Sequence, residues 1–203
     1  DTVNAGGGGD TVYGGNGDDT INGGAGNDSL YGQAGSDTIH GDSNNDQIFG
    51  GSGEDFIFGD DNSDQTLFGG SGNDEISGGD NSDRIAGGYG ADKLTGGALG
   101  DTFVFLDLKD TNDTIMDWRN GNDTIDLTAL DANSSLANDQ AFVWGGSTAT
   151  ANGVWFVLDT TDLDGTDTIL YADTDGNVST AEFAITLENF SSFGTTPPPD
   201  ILL

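Results

Sequence analysis

Residues Gly14 to Tyr31 read GGNGDDTIN and then GGAGNDSLY, one nine-residue pattern used twice in succession. Glycine holds positions 1, 2 and 4, aspartate position 6, and a large aliphatic residue position 8. Successive glycines let the backbone take positive φ and turn tightly, which points several carbonyl oxygens inward. The aspartate adds a carboxylate, so the turn offers the all-oxygen donors that a hard cation such as Ca²⁺ prefers. The alternation around position 8 predicts a very short strand with one side chain facing inward. One nonapeptide cannot bury that side chain. Stacked copies can, so the repeat predicts a solenoid.

Carried outward in both directions, the aspartate column reads Asp1, Asp10, Asp19, Asp28, Asp37, Asp46, Asp55, Asp64, Asp74, Asp83, Asp92 and Asp101. The aliphatic column two residues on reads Val3, Val12, Ile21, Leu30, Ile39, Ile48, Ile57, Leu67, Ile76, Ile85, Leu94 and Phe103. A Gly/Asp-rich linker does not place an aliphatic residue in every ninth position. Leu67 follows Asp64 by three residues because the repeat Gly59–Phe68 has ten, and the extra residue near Gln65 or Thr66 predicts a local bulge. Turns start at Ala5, Gly14, Gly23, Gly32, Gly41, Gly50, Gly59, Gly69, Gly78, Gly87 and Gly96. Three of them replace the second loop glycine with Asn44, Asn62 or Asn81, asparagine being the non-glycine residue that best tolerates the left-handed region. Asp42, Asp60 and Asp80 lie on the same edge, either as outer charge for a cation or as solvated groups. The last repeat, GGALGDTFVF, has Leu99 where glycine belongs, which predicts that the array closes there.

The charge balance agrees with a need for cations. The 203 residues include 36 acidic and 4 basic ones, a formal net charge of −32, with 35 glycines and no cysteine. A chain this acidic, with 33% hydrophobic residues, repels itself and stays unfolded in plain water unless cations neutralise it. No basic cluster exists, so neither nucleic acid nor an anionic membrane surface is an expected partner. No apolar run approaches the length of a membrane span. No N-terminal stretch has the form of a signal peptide, and the chain opens in mid-repeat, as a fragment would. The single histidine, His40, rules out a zinc site with several histidine ligands and leaves little for a Ser-His-Asp arrangement. GxSxG does not occur, so the chain is not expected to be an enzyme.

At position 9, alternate repeats give Tyr13, Tyr31, Phe49 and Phe68, an outward aromatic ladder one coil apart that stops at Ala86. Self-stacking, a neighbouring domain or a stacked sugar would each account for it. The other face reads Asn4, Asn22, His40, Phe58, Ser77 and Thr95. After residue 104 the nonapeptide stops and short strand-like runs follow, separated by Asp/Asn/Gly turns. NDTIMDW (Asn112–Trp118) and NDTIDL (Asn122–Leu127) flank RNG and predict a hairpin. QAFVW, VWFVL, TILYA and FAITL predict an antiparallel meander that caps the roll. Asp173, Asp175, Gly176 and Glu182 fall at positions 3, 5, 6 and 12 of an EF-hand loop, but Tyr171 stands at position 1, so a hairpin turn is the preferred reading. Asp162, Asp164, Gly165 and Asp167 make a similar turn.

The pattern GGxGxDxUx resembles the calcium-binding nonapeptide of the RTX (repeats-in-toxin) proteins. That resemblance implies an all-β fold, a right-handed parallel β-roll with two nonapeptides per coil and Ca²⁺ held between repeat n and repeat n+2 on one edge. The eleven turns then bound the array at about nine ions, fewer if the end turns are incomplete. The implied ligands are Asp10, Asp19, Asp28, Asp37, Asp46, Asp55, Asp64, Asp74, Asp83, Asp92 and Asp101. With them would come the backbone carbonyls of Gly15, Gly17, Gly24, Gly26, Gly35, Asn44, Gly51, Gly53, Asn62, Gly70, Gly72, Asn81, Gly88 and Gly90.

The later segments are similar to the C-terminal domain of the serralysin-type secreted metalloproteases. They are DTFVF (Asp101–Phe105), DTIMDW (Asp113–Trp118), DTIDLTALDA (Asp123–Ala132), NDQAF (Asn138–Phe142) and ADTDGN (Ala172–Asn177). The chain end, PPPDILL, resembles the acidic–apolar tail of type I secretion substrates. The resemblance implies a β-roll over 1–104, a serralysin-type antiparallel β meander or sandwich capping it over 105–194, and a Pro-rich tail with a secretion signal over 195–203. It implies a non-catalytic module, secreted by a Gram-negative bacterium, that folds on Ca²⁺ binding and stabilises or presents a larger extracellular protein. Its partners would be Ca²⁺, the upstream domain of that protein and the type I secretion machinery. The alternative is a glycan- or surface-binding module of an adhesin or a polysaccharide-modifying enzyme.

Overall fold

A computed structural model describes residues 1–64, 66–110, 112–119, 122–130, 143–148, 153–159, 167–174, 179, 181–190 and 201–202. The repeat array folds into β1 (Thr2–Gly7), β2 (Thr11–Asn16), β3 (Thr20–Ala25), β4 (Ser29–Ala34), β5 (Thr38–Ser43), β6 (Gln47–Ser52), β7 (Phe56–Phe58), β8 (Thr66–Ser71), β9 (Glu75–Gly79), β10 (Arg84–Tyr89), β11 (Lys93–Gly97) and β12 (Thr102–Val104). Then come β13 (Asp113–Ile115), β14 (Thr124–Asp126), β15 (Val143–Gly146), β16 (Gly153–Asp159), β17 (Asp167–Ala172), β18 (Phe183–Leu187) and β19 (Ile201–Leu202). The described residues contain no helix, and so none long and apolar enough to cross a membrane.

Successive strands go to opposite sheets. The odd strands β1 to β13 stack in one sheet and the even strands β2 to β14 in the other, all parallel within the roll. Val3 therefore pairs with Ile21 and Val12 with Leu30, one coil apart, and fourteen strands make about seven coils of a parallel β-solenoid. The extra residue of the ten-residue repeat is absorbed without loss of register: Ile48 pairs with Leu67, and Leu67 with Ile85. The expected bulge at Gln65 itself falls outside the described residues.

The aliphatic column fills the space between the sheets. Ile21, Leu30, Ile39, Ile48, Ile57, Leu67, Ile76, Ile85 and Leu94 are completely buried. Each contributes on the order of 1.5–3 kcal/mol by leaving water. The column outlasts the repeat. Leu94 pairs with Ile115 and Phe103 with Ile125, both fully buried. The two strands expected to form a hairpin around RNG are thus not paired with each other. β13 joins the odd sheet beside β11, and β14 joins the even sheet beside β12. In a two-sheet solenoid, neighbours in sequence cross the core, so a short turn between two strands does not make them a ladder. Nor does the parallel ladder close at Leu99.

Beyond this coil the two sheets end differently. β18 lies parallel to β13, and β17 and β16 follow it antiparallel, the expected capping meander, with β15 parallel to β16 at its edge. The even sheet ends with β19 parallel to β14, and Ile201 buried beside Ile125. The turn between β17 and β18 has Ala172 paired with Phe183 at its base, and the backbone N–H of Thr174 donates to Glu182 Oε2 at 2.8 Å. Its tip, the NDQAF segment, the Asp162–Asp164–Gly165 turn and the triple proline lie outside the described residues.

Candidate metal centre

The turns between strands carry the chemistry. All the glycines proposed from the sequence as carbonyl donors have positive φ, from 97° at Gly17 to 155° at Gly90. Asn44, Asn62 and Asn81 take φ of 84°, 76° and 75°, as the sequence predicts. Side chains other than asparagine also adopt this conformation, which the sequence did not signal. Gln33, Asp42 and Asp60 do so at position 2 of the nonapeptide, and Leu99 does so at position 4 with φ 72°. The turns also stack too closely for side chains: a Cβ on Gly26 would lie 2.6 Å from the carbonyl oxygen of Gly8.

The aspartate column lies under these turns and is buried from Asp19 to Asp101, each residue at most 3% exposed. Asp10 is half-buried and Asp1 exposed at the open end. One oxygen of each carboxylate has a fixed task. The backbone N–H of Asp19 donates to Asp37 Oδ1, that of Asp37 to Asp55 Oδ1, and that of Asp46 to Asp64 Oδ1, all at 2.8 Å. The chain of bonds runs on from Asp92 N–H to Asp113 Oδ1 and from Asp101 N–H to Asp123 Oδ1. Asp113 and Asp123 therefore extend the column beyond the repeat.

The second oxygen has no partner. Oδ2 of Asp10, Asp19, Asp28, Asp37, Asp46, Asp55, Asp64, Asp74, Asp83, Asp92, Asp101 and Asp113 is buried without a hydrogen bond. From Asp19 to Asp83 each of these oxygens crowds the first glycine of its own turn, together with a carbonyl from the turn one coil on. A Cβ on Gly14 would meet Asp19 Oδ2 at 2.7 Å and the Gly32 carbonyl oxygen at 2.8 Å. At Gly41 the same distances are 2.7 Å to Asp46 Oδ2 and 2.8 Å to the Gly59 carbonyl oxygen. Two acceptors converge there with no donor among them, which is the environment of a hard cation. Burial pushes the carboxylates up from 3.8, to about 6 at Asp55 and Asp83, about 7 at Asp46, Asp74 and Asp101, and about 8 at Asp64. An uncompensated buried charge is costly, and a bound cation removes that cost. The residues present fit Ca²⁺.

Sequence reasoning missed Asp110, which has no periodic signal. Asp92, Asp110 and Asp113 are all buried, with one carboxylate oxygen of each within 4.8 Å of the others. His40, the one histidine, stacks on Phe58 at 4.6 Å with Nδ1 3.0 Å from Asp60 Oδ2. The aromatic ladder forms as expected: Tyr13 stacks on Tyr31 at 4.9 Å and Tyr31 on Phe49 at 5.1 Å, while Phe68 meets Phe49 edge-on at 6.4 Å. Tyr13 is exposed and the other three are half-buried. The row stops because the chain itself occupies the face there. Ala86 and Val104 are buried, and they share a cavity of about 220 Å³ with Phe49, Phe68 and Leu106, which follows β12.

Comparison with known proteins agrees with this geometry. Residues 1–30, 31–66 and 68–103, half of the chain in all, match the model of the RTX calcium-binding nonapeptide repeat (4 copies). Among solved structures, the AlgE6R2 subunit of the Azotobacter vinelandii mannuronan C5-epimerase is similar. It has 27% identity and a TM-score of 0.52, over 77% of this chain and 92% of that one. The AlgE6R3 subunit of the same enzyme gives 26% identity and a TM-score of 0.34, over 96% of this chain and 78% of that one. No curated protein matches the chain.

Proposed function

This chain belongs to the RTX calcium-binding nonapeptide-repeat family, and we propose that it is a non-catalytic module whose folding waits for Ca²⁺ outside the cell. The observation that carries this reading is the row of buried carboxylate oxygens without partners, from Asp10 to Asp113. Ca²⁺, when bound, supplies the positive charge that these carboxylates lack. The proposed ligands are the carboxylates of Asp10, Asp19, Asp28, Asp37, Asp46, Asp55, Asp64, Asp74, Asp83, Asp92 and Asp101, with the carbonyls of Gly15, Gly17, Gly24, Gly26, Gly35, Gly51, Gly53, Gly70, Gly72, Gly88 and Gly90 and of Asn44, Asn62 and Asn81. Each turn would share its ion with the turn one coil away, as the convergence of Asp19 Oδ2 and the Gly32 carbonyl on Gly14 supports.

The regulation follows from mass action. With a formal net charge of −32 the chain repels itself in a compartment poor in Ca²⁺, and it stays extended and exportable. Extracellular modules of this affinity class bind at roughly 10⁻⁴–10⁻³ M, so millimolar Ca²⁺ fills them. Binding to the folded state alone pulls the chain into the roll. In this reading the roll spans 1–104, a serralysin-type cap spans 105–194, and 195–203 carries a type I secretion signal. The DTFVF, DTIMDW and DTIDLTALDA segments support the cap assignment. The whole would stabilise or present a larger secreted protein. Chelation with EDTA at neutral pH is expected to abolish the β-type circular dichroism cooperatively, and excess Ca²⁺ to restore it. A chelated chain that keeps its β signal would sink the reading.

A second reading, a glycan-binding module, draws on the stacked Tyr13–Tyr31–Phe49 ladder and on the likeness to a subunit of an enzyme named for mannuronan. Retention of the Ca²⁺-loaded chain on an acidic-polysaccharide array, lost in Tyr13→Ser/Tyr31→Ser, would favour it. No retention would remove it.

A further inference from the structure

We propose that Asp92, Asp110 and Asp113 form an additional Ca²⁺ site where the roll meets its C-terminal strands, built from three carboxylates. It rests on the reading of the chain as a calcium-binding module, but it lies outside the sites counted between repeat turns. The turn that starts at Gly87 has no glycine turn one coil further on its edge. In place of that turn stands the segment between β12 and β13, which has no GGxG and brings Asp110 instead.

The donors come from three different pieces of chain. Asp92 closes the last glycine turn on this edge, Asp113 opens β13, and Asp110 is held by an isolated parallel bridge to Gly90. Asp110 is locked in place, its Oδ1 accepting from Gly88 N–H at 3.2 Å and its Oδ2 from Leu106 N–H at 3.0 Å. Asp113 Oδ1 accepts from Asp92 N–H at 2.9 Å. Asp92 Oδ2 and Asp113 Oδ2, on residues 1% and 0% exposed, have no hydrogen-bond partner. None of the ion pairs among the described residues reaches the three. The lysine in the same segment, Lys109, has its Nζ 5.6 Å from the centre of the Tyr89 ring.

The opposite edge ends differently. There Asp117 accepts from the N–H groups of Gly96 and Gly97 at 2.8 Å, and Arg119 lies 3.9 Å from its Oδ2. Both oxygens of Asp123 accept backbone N–H groups, from Asp101 and from Arg119. At that end Asp117 and Asp123 have both oxygens taken by backbone N–H groups, a guanidinium stands beside Asp117, and Asp101 Oδ2 alone lacks a partner. The Asp92–Asp110–Asp113 end holds three carboxylates and no base. Carboxylates that close to one another need either a shared proton or a cation. Oxygen donors alone, with neither histidine nor cysteine, select a hard cation, and a buried site of carboxylates suits Ca²⁺ better than Mg²⁺, which keeps its waters.

Calcium-loaded crystals of the full chain test the proposal by anomalous scattering. A peak is expected between the three side chains, about 2.3–2.6 Å from an oxygen of each, in addition to peaks along the turns. Peaks along the turns with none here would mean a shared proton and overturn the proposal alone. No peak anywhere would overturn the calcium reading itself. In solution, Asp110→Asn is expected to bind one Ca²⁺ fewer than the unaltered chain by calorimetric titration, while Asp107→Asn, exposed in the same segment, binds the full number. An unchanged count in a folded Asp110→Asn chain would contradict the proposal; if that variant does not fold, the crystal decides.

Discussion

Between Thr2 and Val104 each strand pairs with its equivalent one coil away, as Val3 with Ile21 and Ile48 with Leu67. After Asp113 the same two sheets continue, but Ile115 finds Leu187 and Ile125 finds Ile201, far along the chain. The first region solves one packing problem and repeats it. The second must close a solenoid whose end would otherwise expose unpaired strand edges. It does so with residues that have no period: Asp110 and Asp117 on the turns, β18 and β19 on the sheets. Repetition yields a long ladder from simple rules, and termination needs particular side chains.

The largest expected effect concerns the carboxylates that only the roll stacks in such number. Burial raises the folded-state pKa of the central aspartates above the ordinary 3.8, to about 6 at Asp55, about 7 at Asp46 and Asp74 and about 8 at Asp64. Such a group takes up a proton on folding, so without Ca²⁺ its contribution to stability is fully present below about pH 3.8 and is lost as the pH rises through about 6 to 8. The ion-free chain should therefore show more β signal near pH 5 than near pH 8. Saturating Ca²⁺ should remove that difference, because the ligands must be deprotonated to bind. An ion-free signal that does not change over this range would contradict the account of these carboxylates.

A smaller effect asks whether the two regions are one folding unit. Ile57→Ala in the repeat and Ile115→Ala beyond it occupy the same fully buried column. In saturating Ca²⁺ each should cost about 2–5 kcal/mol in urea denaturation, with Val12→Ala, in the first coil, costing least. If Ile115→Ala leaves the main transition where it was, the later strands fold apart from the roll and the continuity described above has no energetic weight.

The sequence made the repetitive region legible down to single residues. The inward column, the buried aspartates, the left-handed asparagines and the aromatic row all follow from a period that every copy restates. The end of the roll was not legible for the same reason. Asp113 and Asp123 continue the aspartate column, but the segments before them differ in length from a nonapeptide, so the register is lost when counting. NDTIMDW–RNG–NDTIDL has every local mark of a hairpin, and only the two-sheet topology, a long-range property, sends its strands to opposite sides of the core. Leu99 in a left-handed turn shows the stack overriding local preference. Asp110 belongs to no column and was visible only once the fold brought it to Asp92.

The central claim is that cations hold the roll's aspartate columns together. Hydrogen exchange at the amides of Asp19, Asp28, Asp37, Asp46, Asp55 and Asp64 reports on it directly, since each donates to the carboxylate one coil on. With Ca²⁺ these amides should be strongly protected. In chelator above about pH 8, where the carboxylates are charged, they should lose protection together, as one cooperative unit. Amides that stay protected in chelator at that pH would mean the columns stand without cations, and the account would be wrong.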